Sequence, residues 1–149
     1  MSQITVNSPA GPLAIAEDQG HIVSLDWGWP MAVTETPLLC EARDQIEAYF
    51  AGTRRVFELP LKPFGTPFQR RVWAVLAAIP YGTTRTYGDI AAELGTSARA
   101  VGGACGRNPI PILIPCHRVI GLHGHLGGYS GGDGIETKTF LLTLEGCSP

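Results

Sequence analysis

The sequence predicts an α+β chain in two parts, a small antiparallel β-sheet with one helix followed by a mostly helical half that contains a helix-turn-helix. Three observations carry this. Short apolar alternations cluster before residue 28. After residue 65, apolar residues recur at helical spacing, opened by capping residues and closed by glycine or proline. Between them Arg54–Pro63 reads as a linker, so the predicted domains are 1–61 and 62–149.

In the first domain Ile4–Val6, Pro12–Ala16 and Ile22–Trp27 read as strands, and Asp18-Gln19-Gly20 supplies the turn between the last two. Thr36 caps a helix with Pro37 at its first position. Leu39, Ala42, Ile46, Tyr49 and Phe50 form its apolar stripe, and Gly52 stops it. No chemistry is visible there.

The second domain opens on Thr66-Pro67-Phe68-Gln69, a capping box, and Phe68, Val72, Val75, Leu76 and Ile79 hold helical spacing up to Pro80. A short helix from about Tyr87 to Leu94 is closed by Gly95, and Ser97 caps a second one that runs to about Gly106. Two short helices joined by so tight a glycine-containing turn form a helix-turn-helix candidate. A stretch with six glycines, His123 to Gly134, reads as flexible. The last helix, about Ile135 to Leu144, is expected to present Thr137, Phe140, Leu141 and Leu144 to the core.

No run of about 18 apolar residues occurs, so a membrane span is not expected. No basic segment followed by an apolar one opens the chain, so four widely spaced cysteines are expected as reduced thiols in a cytoplasmic protein, nucleoid-associated if bacterial. The net charge of −2 hides an asymmetry: residues 1–61 hold three basic and eight acidic side chains, and residues 62–149 hold eight basic and five acidic ones. Arg70, Arg71, Arg85, Arg99, Arg107 and Arg118 in the second part suit a modest phosphate-contacting face, although ordinary solvated arginines would look the same.

The chemistry converges on Pro109-Ile110-Pro111-Ile112-Leu113-Ile114-Pro115-Cys116-His117-Arg118-Val119-Ile120. Three prolines pin an apolar run in extended or turn conformation, and the run delivers a thiol beside an imidazole. A buried cysteine is most often an inert small hydrophobe. An adjacent imidazole able to take its proton, directly or through one water, favours a nucleophile. The second helix of the pair is unusual in a different way. Arg99, Gly102, Gly103 and Gly106 share one face, nearly bare backbone led by a cation. Such a face suits close approach to a DNA minor groove or to another helix.

Pro115-Cys116-His117-Arg118-Val119-Ile120, preceded by Arg99-Ala100-Val101-Gly102-Gly103-Ala104 and Asn108-Pro109, resembles the signature of the O6-alkylguanine-DNA alkyltransferases, a likeness running from about Gly65 to Gly146. The resemblance implies an RNase H-like first domain and a winged helix-turn-helix-like second one. It implies a suicide DNA-repair protein that flips O6-alkylguanine out of double-stranded DNA from the minor groove and moves the alkyl group irreversibly to Cys116. Under it, Glu145 orients His117 in a Glu145–His117–water–Cys116 relay, and Asn108 braces the turn before the nucleophile. Glu145 has some independent support, because a carboxylate at a helix C-terminus opposes the macrodipole. Arg99 matches the arginine that fills the gap left by the flipped nucleotide, and Tyr87 the tyrosine that rotates it and donates toward the base. Pro111, Val119, Tyr129 and Ser130 match pocket-wall and base-contact positions, and Lys138 a lysine near the active site.

No cofactor and no metal are implied. Family members with a structural zinc carry an N-terminal Cys/His set, and this chain has only His21 and Cys40 before residue 100. Cys116, His117, His123 and His125 form a conceivable but disfavoured metal set. Cys105 stands where some relatives have a larger apolar residue, a difference that bears on pocket width. The expected partner is lesion-bearing DNA, bound by a monomer, with cooperative assembly left open. Two other functions remain: an alkyltransferase-like protein that binds without repairing, which Cys116 disfavours, and a cysteine hydrolase indifferent to DNA.

Overall fold

The computed structural model describes every residue except Met31, Ser130, Ser148 and Pro149, and divides into two compact units, Met1–Phe64 and Gly65–Pro149. In the first unit β1 (Ser2–Ser8), β2 (Gly11–Asp18) and β3 (His21–Trp27) form an antiparallel sheet in the order β1-β2-β3. Each strand extends beyond its apolar core, because the hairpin ladders continue to the turns. The β2–β3 turn places Gln19 and Gly20 at φ 49° and 80°, the paired left-handed conformation that lets a two-residue loop match strand twist. Helix α1 (Pro37–Phe50) starts at Thr36, whose hydroxyl accepts from Leu39 N–H at 3.1 Å, and buries Leu39, Ala42, Ile46 and Tyr49.

The linker expected at Arg54–Pro63 is instead fastened to this unit. Gln45 is buried on α1. Its Oε1 accepts from Glu58 N–H at 2.9 Å, while its Nε2 faces Glu58 O at 3.3 Å. Ile22 N–H donates to Pro60 O at 2.8 Å and Lys62 N–H to Ile22 O at 2.9 Å, so residues 60–62 extend the sheet edge. Sequence alone shows no apolar period there because backbone groups and one amide side chain make these attachments.

In the second unit α2 (Pro67–Ala77) begins with the expected capping box, Thr66 with Gln69. It buries Val72, Leu76 and also Trp73, whose indole N–H donates to Ala104 O at 2.9 Å and so ties α2 to the fourth helix. The strand β4 (Arg85–Thr86) leads into α3 (Tyr87–Leu94), which ends on Gly95 at φ 68°, ψ 39°. Ser97 then caps α4 (Ala98–Gly106). A second strand, β5 (Val119–Ile120), pairs parallel with β4, which docks the Cys-His segment beside the start of α3. The last helix, α5 (Ile135–Leu144), differs from expectation in its facing. It buries Thr137, Lys138, Leu141 and Leu142, while Phe140 is exposed and Leu144 half-buried. A hydropathy stripe cannot anticipate a lysine in the core, and Lys138 has its own reason to be there. Among the described residues no helix is long and apolar enough to cross a membrane.

Candidate functional site

Residues 109–114 fold into a compact turn held by Asn108. The Asn108 Nδ2 donates to Ile114 O at 2.8 Å, and its Oδ1 accepts from Ile110 N–H at 3.0 Å. Inside that turn Ile112 sits at φ 73°, a left-handed conformation costly for a β-branched residue and of order 1–3 kcal/mol. The prolines, the Asn108 bonds and burial of Ile110 through Ile114 hold it there. The turn delivers Cys116, His117 and Arg118 on one 3₁₀ turn, all buried.

Behind Cys116 stands a closed polar network. His117 Nε2 lies 2.7 Å from Glu145 Oε2 in a fully buried contact. A carboxylate only accepts, so Nε2 carries the proton and Nδ1 a lone pair, and among the described residues Nδ1 has no hydrogen-bond partner. Arg118 grips the same carboxylate with Nε at 2.7 Å and a terminal nitrogen at 3.0 Å, and its other terminal nitrogen donates to Ile79 O at 2.7 Å. Its guanidinium also lies over the Tyr81 ring, and Tyr81 donates to Leu144 O at 3.2 Å. Arg118 is therefore an internal brace joining the ends of α2 and α5, which corrects its assignment to the phosphate-contacting face. It also explains why Glu145 tolerates a helix C-terminus: the bidentate cation neutralises it.

Burial holds the His117 imidazole below its ordinary range, against the pull of Glu145, and the Arg118 charge pushes the same way as burial. Burial likewise pushes the Cys116 thiol up, opposed by a hydrogen bond from Asn108 and by the Lys138 charge. The resting site thus holds a neutral thiol and a neutral imidazole.

In front of Cys116 opens a cavity of about 610 Å³, lined by Tyr87, Ala98, Arg99, Gly102, Cys105, Gly106, Cys116, Gly128 and Tyr129. One wall is α4, where Ala98, Gly102, Cys105 and Gly106 follow each other at helical spacing. The opposite wall is the glycine-rich loop, and Lys138 secures it. The Lys138 ammonium donates to Val119 O at 2.6 Å, to Leu126 O, and more distantly to Gly128 O and the Tyr87 hydroxyl, both at 3.4 Å. A stretch expected to be flexible is thereby anchored at Leu126 and Gly128. Gly127, at φ 70°, packs so close to Tyr87 that a Cβ would fall 2.8 Å from its ring. Burial, then the Cys105 and Cys116 charges, push the Tyr87 hydroxyl up to about 12, so it keeps its proton at neutral pH.

The outer face of α4 settles one of the two readings of its glycines. Among the described residues a Cβ added at Gly103 would meet nothing within 4 Å and one at Gly102 only the Tyr87 ring at 3.9 Å, so no described helix packs closely against them. On this face Gly103 and Gly106 are exposed and Gly102 is half-buried, with exposed Arg99 at the leading end.

The chain matches two family models that together span most of its length. Residues 1–63 match the ribonuclease-like domain and residues 67–147 the DNA-binding domain of 6-O-methylguanine DNA methyltransferase. The chain belongs to this family. A methylated-DNA–protein-cysteine methyltransferase of Bacillus subtilis is 48% identical, covering 95% of this chain and 93% of that protein. One from Methanosarcina acetivorans is 46% identical over 93% and 94%. The crystal structure of Mycobacterium tuberculosis OGT in complex with DNA superposes with a TM-score of 0.88 at 45% identity, covering 97% of this chain and 92% of that one.

Of the site residues the family resemblance singles out, the cavity brings together Cys116, Tyr87, Arg99 and Tyr129. His117, Glu145 and Asn108 support Cys116 from behind. Pro111 and Val119 are buried and do not line the cavity, and Ser130 lies outside the described residues. Arg118 was missed as part of the site. Its position two residues after the nucleophile, in an apolar run that leaves a charge no route to water, was the signal that could have found it.

Proposed function

We propose that this methyltransferase-family protein repairs double-stranded DNA carrying O6-alkylguanine by moving the alkyl group to Cys116, once per molecule. The observation that carries the reading is the arrangement around Cys116, with an open cavity in front and, behind, an imidazole fixed by Glu145 with its Nδ1 lone pair unused. Through one water, Nδ1 takes the Cys116 proton, and Glu145 stabilises the resulting imidazolium. The thiolate attacks the alkyl carbon, the carbon–O6 bond breaks, and guanine leaves with a proton donated from the Tyr87 side. The product is a thioether with no hydrolytic exit. A base inside a duplex cannot reach a buried sulfur, so the nucleotide turns out into the cavity while the bare face of α4 enters the minor groove. Residues 62–149 then act on DNA, residues 1–61 are structural, and the working compartment is the cytoplasm.

Intact mass after incubation with DNA containing O6-methylguanine tests this: one added methyl per chain, mapped to Cys116. Repeated turnover of a small ester with no mass gain would instead select the hydrolase reading.

Two variants separate the groove from the pocket. Arg99→Ala is expected to slow repair of duplex DNA at least tenfold while leaving reaction with free O6-benzylguanine within twofold, because a free base needs no flipping. Equal losses on both would make Arg99 a pocket or folding residue. Gly103→Ala is expected to raise stability by roughly 0.5–1 kcal/mol, since the methyl meets open space and alanine is the better helix former. The same methyl should weaken binding to duplex DNA. A higher thermal midpoint with unchanged DNA affinity would remove this face from the interface.

A further inference from the structure

Two thiols face one cavity. Cys105 on α4 and Cys116 on the 3₁₀ turn both line it, and both are free cysteines. Asn108 stands between them: it donates its backbone N–H to Cys105 O at 3.3 Å, and its side chain holds Ile110 and Ile114 in the turn that delivers Cys116. Apart from Arg99 at its mouth, Cys105 is the only residue of the α4 wall with an atom beyond Cβ, since its neighbours there are Ala98, Gly102 and Gly106. Whatever Cys116 receives from a lesion is therefore placed in a space whose nearest nucleophile on that wall is the Cys105 sulfur.

We propose that Cys105 makes the pocket a two-thiol site that converts a two-carbon electrophilic alkyl group, such as 2-haloethyl, into a thioether bridge within the protein. The inference rests on the reading of Cys116 as the alkyl acceptor. In the first step the Cys116 thiolate bonds to the carbon attached to O6, the carbon–oxygen bond breaks, and guanine leaves, giving Cys116–S–CH₂–CH₂–Cl. This product is a mustard sulfide, still reactive. In the second step the Cys105 sulfur bonds to the terminal carbon, directly or after the Cys116 sulfur has displaced chloride as a cyclic sulfonium. Chloride leaves with the electron pair of its bond, and the thiol proton passes to solvent. The result is Cys116–S–CH₂–CH₂–S–Cys105, with the elements of HCl lost and no oxidant or reductant required.

The electrostatics favour this order. Before transfer the Cys105 thiol is pushed up to about 12, first by burial and then by the Cys116 charge, while Lys138 pulls it down. A Cys116 thiolate formed for the first step opposes ionisation of Cys105, and once alkylated Cys116 can no longer carry that charge, which leaves burial and Lys138 to set the Cys105 thiol. Cys105 thus stays out of the first reaction and is freed of one opposing charge after it. The bridge would keep an electrophile out of reach of the DNA still lying on α4.

The test incubates the full chain with freshly prepared O6-(2-chloroethyl)guanine as the free base, followed by intact mass and peptide mapping. The expected product carries one ethylene bridge joining the peptides that contain Cys105 and Cys116, with neither thiol open to a maleimide. In Cys105→Ser the same lesion should end as a hydroxyethyl thioether on Cys116, the chloride replaced by water. A wild-type chain with a chloroethyl or hydroxyethyl group on Cys116 and a maleimide-reactive Cys105 overturns the inference and leaves the transfer reading intact. A bridge from Cys116 to Cys40 or Cys147 overturns it as well. No transfer to Cys116 at all overturns both.

Discussion

Cys116→Ser is expected to bind DNA containing O6-methylguanine with near-native affinity and to transfer no measurable methyl group. The substitution removes one polarisable atom and leaves the surfaces that touch DNA unchanged, because Cys116 is only 8% exposed at the cavity floor. The chemistry, in contrast, depends on the sulfur. Attack on a saturated carbon needs an anion, and the burial that already pushes the thiol up would act on an alcohol whose proton is far harder to remove. A neutral imidazole at Nδ1 can deprotonate a thiol; it cannot hold a serine alkoxide long enough to displace guanine. Gel-shift affinity and tritiated-methyl transfer measured on one preparation give the answer. Stoichiometric transfer by the serine variant, or label on Cys40, Cys105 or Cys147 in the native chain, would sink the assignment of Cys116.

Most elements were legible in the sequence because they are locally encoded. Thr66 with Gln69, Thr36 with Pro37, and Gly95 each specify a helix end through backbone groups a few residues away, and each appears in the structure as expected. The exceptions depend on partners distant in the chain. Gln45 meets Glu58 through 13 residues of chain, Arg118 meets Glu145 through 27, and Lys138 reaches back 51 to Tyr87. Each is a polar residue buried because something far away satisfies it, and hydropathy periodicity assigns such residues to the surface. The same limit explains the rotation of α5, since the face carrying Thr137, Lys138, Leu141 and Leu142 is chosen by the carbonyls Lys138 must reach. In the site, residue types were readable and their division of labour was less so. Cys116 and His117 stand together in sequence, while the cation that makes Glu145 affordable at a helix end becomes visible only in three dimensions.

That cation gives Glu145→Gln a larger expected effect than the loss of one catalytic charge. Glutamine keeps the shape but presents one oxygen and one amide nitrogen where Arg118 and His117 both donate. If the oxygen stays with Arg118, the amide N–H faces the N–H of His117 Nε2. The imidazole then relieves the clash by moving its proton to Nδ1, which removes the lone pair proposed to draw the proton from Cys116. Alkyl transfer is expected to slow by about 10²-fold or more, the usual scale for losing a general base. Stability is expected to fall by about 3 kcal/mol, because removing one partner of a buried ion pair leaves the other charge uncompensated. A simpler account, in which Glu145 only opposes the helix dipole, expects instead an unchanged rate and slightly higher stability. The pH dependence supplies a third readout. His117 is held below its ordinary value near 6.5, so below that pH the unfolded chain binds more protons than the native one. Its contribution to stability is complete above about 6.5 and is lost as pH falls toward the lower native value. Glu145 is the group that raises the native value, so in Glu145→Gln this acid limb should begin at the same pH and run deeper. The double variant Glu145→Leu, Arg118→Leu should regain much of the lost stability, since both buried charges are gone, yet remain slow. Thermal midpoints from pH 5 to 8 and single-turnover rates on all three proteins decide the matter. A native rate in Glu145→Gln, or a double variant that recovers rate together with stability, would confine Glu145 to holding the fold.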